Sequence, residues 1–126
     1  MKNVLTSFTL MFLLLITMSF SYKYLNNICD DLIDTNVKLE KIIEKENWKK
    51  GYEVSVDLYK KWDKEYSKLS VFIHHQNIDN INNELLQLTQ FVKYKDKVQS
   101  LAKIHILKFY LKNILESEKI NIQNIF

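Results

Sequence analysis

Two regimes of hydrophobic spacing divide the chain. Residues 4–22 carry no charge and are apolar almost throughout, with Phe8, Phe12, Phe20 and Tyr22 set among aliphatic side chains. A helix of that length rises roughly 28 Å, close to the hydrocarbon thickness of a bilayer. Tyr22, Lys23 and Tyr24 follow at its far end, where aromatic and snorkelling side chains suit a membrane interface. The run reads as a membrane segment, with a buried core helix as the alternative.

From Leu25 onward the apolar positions recur at steps of three and four, the period of an amphipathic helix. The first stripe takes Leu25, Ile28, Leu32, Leu39 and Ile42, widened by Ile33 and Ile43. No breaker separates it from the uncharged run, so one rod is expected to about Glu46, with Asp34 and Lys38 paired at i,i+4 on its outer side. A second, aromatic stripe runs through Trp48, Tyr52, Tyr59, Trp62, Tyr66, Leu69 and Ile73, interrupted by Ser55. Asn47 is its expected N-cap. Gly51 lies one residue off this line, where it either admits a neighbouring helix or merely loosens the first turn.

A third stripe uses Ile78, Ile81, Leu85, Leu88 and Val92. The fourth uses Leu101, Ile104, Leu107, Leu111 and Ile114, with Val98 at its start. Residues 93–97 are the expected turn between them, with Asp96 capping the last helix. Residues 117–126, Asn-rich and apolar by turns, are expected to fray or to dock loosely. The pattern predicts an all-α chain, an N-terminal transmembrane helix followed by an antiparallel bundle of three to four amphipathic helices. Its expected divisions are an anchor or signal-like segment at 1–22, a helical extracytoplasmic domain at 23–117 and a tail at 118–126.

Composition narrows the functions open to such a chain. One Gly cannot build a dinucleotide fingerprint or a phosphate loop, and one Cys cannot form an internal disulfide or a zinc cage. All 18 basic side chains are Lys, and they face 15 acids for a net charge of +3. Along the sequence the two signs interleave, as in Lys38, Glu40, Lys41, Glu44 and Lys45, and Arg is absent. Nucleic acid is therefore not an expected partner. Lys2 and the α-amine precede the uncharged run, and the acidic Asp30, Asp31 and Asp34 follow it. This bias predicts a cytoplasmic N-terminus and an outer C-terminal domain. Ser19-Phe20-Ser21 is a weak peptidase site and the run is long for a signal core, so an uncleaved anchor is expected.

Asn47-Trp48, Gly51, Trp62, the segment His74-His75-x-Asn77-Ile78-Asp79-x-Ile81, Lys108 and the closing Asn124-Ile125-Phe126 together resemble a known family. It is an uncharacterised family of short, singly anchored proteins from Gram-positive spore formers, carrying a domain of unknown function. The resemblance covers nearly the whole chain. It implies the anchored architecture and a frequent association with multi-span membrane proteins. Gly51 stands where relatives are expected to carry Ala, and Asn77 stands where an acid is common, which weakens a metal or acid–base role for that segment.

Within the chain, His74, His75 and Asp79 are the one grouping of ligand-type residues at helical spacing, with His105 as the third imidazole. A metal wants three or four protein ligands. The simpler reading is a polar junction in which the imidazoles lie beside the last carbonyls of the preceding helix, Asn77 caps the next helix and Asp79 lies in its first turn. Cys29 is a buried hydrophobe or an inter-chain disulfide partner. The aromatic stripe is core, or a groove for a partner helix. No catalytic constellation, cofactor motif or metal site is read. The expected function is a membrane-anchored, non-catalytic binding or accessory protein that contacts the lipid bilayer through residues 4–22. It would dock on a membrane or cell-envelope partner through Trp48, Tyr59, Trp62, His74, His75 and Asp79. The alternative is a metal- or small-ligand-sensing domain built on the histidines.

Overall fold

A computed structural model of the protein describes residues 1–71 and 73–125. It contains four helices, α1 (Lys2–Glu44), α2 (Trp48–Leu69), α3 (His75–Lys93) and α4 (Lys97–Ile125), and no strand among the described residues. Helix α1 packs on α2 and α4, and α3 closes the other side against the same two neighbours. Short turns make each neighbouring pair antiparallel. The core is the meeting of one apolar seam per helix. Leu25, Leu32, Leu39 and Ile43 come from α1, Leu58, Trp62 and Leu69 from α2, Ile78, Ile81, Leu85 and Val92 from α3, and Ile104, Leu107 and Leu111 from α4.

The expected rod is present. Helix α1 runs 43 residues without a break, because neither Gly nor Pro interrupts it. Its two halves have opposite fates. Leu25 to Ile43 supply its buried positions, whereas Val4, Leu5, Phe8, Leu10, Phe12 and Leu14 are all exposed beyond the bundle.

Both turns at the far end from this segment share one construction. Glu46 and Lys95 adopt positive φ, 57° and 59°, and their amides donate to the carbonyls of Ile43 and Val92, three residues back. The next amides, of Asn47 and Asp96, reach the carbonyls of Ile42 and Phe91. This paired bonding satisfies carbonyls that a helix end leaves open. Asn47 and Asp96 then cap the following helices through the amides of Lys50 and Gln99, at 3.3 and 3.1 Å. One residue thus closes one helix and starts the next.

Three details depart from the periodicity, and a fourth decides between the two readings of Gly51. The buried seam of α2 is Gly51, Ser55, Leu58, Trp62 and Leu69; it shares Ser55, Trp62 and Leu69 with the aromatic line, but Gly51 and Leu58 take the inward places of Tyr52, which is exposed, and Tyr59, which flanks the core. Gly51 faces α1, where a Cβ would stand 2.7 Å from Ile43 Cδ1, so the close-approach reading holds. Val98 is 77% exposed, and Ser100 takes the inward position near the start of α4. Finally, α4 continues through residues 117–125 instead of ending near Ser117. The closing Phe126 lies outside the described residues.

Cys29 sits in the α1 seam, fully buried. Pairing between chains would require the bundle to open. Burial pushes its thiol up to about 12, and the neighbouring Asp30 adds to the shift. An unfolded thiol near pKa 8.5 is about one quarter thiolate at pH 8, so alkylation of the folded chain should be slower by about a thousandfold. Iodoacetamide labelling at pH 8 with and without urea measures this, and equal rates would contradict the burial. The same shift sets a pH dependence. Above about pH 8.5 the unfolded chain loses this proton while the folded one keeps it. Stability is therefore full below that pH and declines towards the folded value of about 12.

Candidate functional site

The predicted residues occupy both ends of the bundle. His74 is the N-cap of α3, its Nδ1 accepting from the amide of Gln76 at 3.3 Å. His75 is the first residue of that helix, so both imidazoles belong to a helix start and not to the end of α2. This corrects two expectations. Asn77 is not the cap, and Asp79 lies beyond the first turn. An imidazolium at a helix N-terminus opposes the dipole, and a protonated Nδ1 can no longer accept the capping bond.

Asp79 ties the junction together. Its Oδ2 lies 3.2 Å from His75 Nε2, and its Oδ1 accepts from the Tyr66 hydroxyl at 3.1 Å. The second contact bridges α2 and α3 and raises the Tyr66 pKa. On the neighbouring interface the Tyr24 hydroxyl donates to Glu65, which pushes Tyr24 up to about 12. His105 is elsewhere, 3.1 Å from Glu40 on α1. The three imidazoles do not converge, and no metal-holding group of three His, Cys, Asp or Glu occurs among the described residues.

Trp62 is fully buried, which removes it from any partner surface and makes it a packing residue. Tyr59 is half-buried beside the core. Trp48 is half-buried at the opposite end of α2 from His74 and His75, so the six residues form no single surface.

Trp48 does belong to a cleft. With Tyr52 and Val92 it makes an apolar floor between the start of α2 and the end of α3, ringed by Lys49, Lys93 and Lys95, with a volume of about 450 Å³. That size lies within the range of small-ligand and side-chain pockets. Lys93 Nζ stands 5.8 Å from the Tyr94 ring centre, and Tyr94 itself is 73% exposed. Sequence reasoning missed this cleft because its rim comes from the start of α2 and the end of α3 with its following turn, which are far apart in the chain.

Two polar groups inside the bundle also escaped the pattern. Asn36 is buried on α1 and donates through Nδ2 to the Ile104 carbonyl on α4 at 2.8 Å. Glu84 and Lys103 form a largely buried ion pair at 3.1 Å between α3 and α4. Both fasten α4 into the bundle.

The family described as a domain of unknown function, DUF4363, matches residues 19–125. No curated protein and no solved structure matches the chain.

Proposed function

The chain belongs to this family of unknown function, and from that premise we propose that it is a membrane-anchored helical binding protein. Residues 4–22 are the anchor, and the bundle is the module it displays. One observation carries this reading. Helix α1 is long and apolar enough to cross a membrane, yet none of its most apolar stretch is buried. An uncovered surface of that extent is unfavourable in water, and a bilayer covers it. The flanking charges favour a cytoplasmic N-terminus with the bundle on the outer side of the cell membrane. The resemblance to singly anchored relatives supports a multi-span membrane protein as partner. A non-catalytic role rests on the absence of any nucleophile–base pattern in the sequence.

Alkaline carbonate treatment of isolated membranes tests the anchor. The full-length chain should stay in the pellet, and the same chain beginning at Lys23 should leave it. Release of the full-length chain would overturn the reading. Protease added to intact cells then reports the side, because an outer bundle is cleaved without lysis.

A further inference from the structure

The net positive charge gathers at one end of the fold. Residues 41–53 and 92–97, the two turns and adjoining helix ends of the tip, hold seven Lys against four acids. The remaining eleven Lys are matched by eleven acids, so the whole excess of +3 sits at this tip. Two of the tip's acids are engaged, Asp96 as the cap of α4 and Glu46 with Lys97 at 3.9 Å. Lys49, Lys93 and Lys95 have no ion-pair partner among the described residues, and all three line the Trp48–Tyr52–Val92 cleft. Exposed cations around an apolar floor suit an anion that also carries an apolar group.

We propose that this cleft docks an acidic segment of a partner protein. Its carboxylates would lie against Lys49, Lys93 and Lys95, and an apolar side chain would enter over Trp48 and Tyr52. The proposal rests on the anchored binding reading and specifies the partner's chemistry. The cleft lies at the opposite end of α1 from the uncharged run, roughly 33 Å beyond Tyr22 at the helical rise. The chain's own bilayer is therefore not its occupant. A modest excess of point-charge lysines with an apolar floor favours a peptide over a nucleic acid, which demands a longer basic track.

The test uses the full-length chain in lipid nanodiscs of neutral phosphatidylcholine. The probe is a synthetic peptide with a central phenylalanine flanked by two glutamates on each side. Trp48 is half-buried while Trp62 is fully buried, so binding should change the emission of Trp48 and disappear in Trp48→Phe. Affinity should fall about tenfold or more in Lys49→Glu/Lys93→Glu, and several-fold when salt rises from about 0.1 M to about 0.5 M. Lys68→Glu, at the other end of α2, should change it by less than about twofold. Lys49→Gln/Lys93→Gln serves if the reversed charges disturb folding, and should weaken binding in the same direction.

Equal weakening by Lys68→Glu would overturn the proposal, as would equal binding of a peptide with alanine in place of phenylalanine. So would competition by duplex DNA at matched charge as strong as that of the peptide, since it would mark a general polyanion surface. Absence of peptide binding with the chain still in the carbonate-resistant pellet rejects the cleft and leaves the anchor standing. Binding by a chain that washes out of membranes does the reverse.

Discussion

Replacing Trp62 by alanine is expected to lower the stability of the bundle by about 3–5 kcal/mol, the range for removing a buried aromatic side chain. Trp62 is fully buried in the α2 seam, between Leu58 and Leu69 and among the core residues of its neighbours. Its indole Nε1 has no hydrogen-bond partner among the described residues. That donor carries a desolvation cost of about 1–3 kcal/mol, which phenylalanine does not carry. Trp62→Phe should therefore cost far less than Trp62→Ala, even though it leaves a small void. Urea unfolding of the chain beginning at Lys23 measures both variants. A Trp62→Ala loss below about 1 kcal/mol would mean that the residue is not the packing centre its burial implies.

The second large effect concerns the other half of α1. Lysine in place of Leu14, near the middle of the uncharged run, should cost about 2.5–3.5 kcal/mol of insertion free energy. At 1.4 kcal/mol per factor of ten, that shifts the insertion equilibrium constant by about a hundredfold. Ser21→Lys, at the edge of the same run, should cost much less because its ammonium can snorkel to the interface. Carbonate-resistant recovery of the two variants, compared side by side, reads the difference. Equal recovery would place the run outside the hydrocarbon. Leu14 is exposed in the fold, so its replacement should leave the bundle's own unfolding midpoint unchanged.

Hydrophobic spacing made most of the architecture legible. The third stripe matched the buried face of α3 at all five named positions, since every one of them is a large aliphatic with no competing pattern beside it. Helix α2 was harder. Its inner positions include Gly51 and Ser55, which carry no hydrophobic signal, and the aromatic residues beside them pointed one residue too far round. At Gly51 the close approach of Ile43 leaves no room for a Cβ. Val98 misled for the opposite reason, being apolar yet outward.

The polar features were less legible still. Asn36 is buried because a carbonyl on α4, 68 residues away, is there to receive its amide. The histidine segment does lie at the α2–α3 junction, but at the start of α3 and not at the end of α2. His74 caps through its ring nitrogen, a role the usual Ser, Thr, Asp and Asn preferences do not reveal. The basic cleft depends on two helix ends that share no sequence neighbourhood, so interleaved charges in the chain give no sign of it.

On the proposed anchoring, the unbroken backbone of α1 would make the protein a lever as well as a tether. With no glycine or proline along its 43 residues, the helix has no built-in hinge between the uncharged run and the far turn. Whatever tilt its first half adopts is passed to its last. A tilt of about 20°, ordinary for a spanning helix, would carry the far end sideways by roughly 11 Å over a rise of roughly 33 Å. Bilayer thickness changes tilt, so the reach of the lysine-ringed end would follow the lipid environment with no rearrangement inside the bundle.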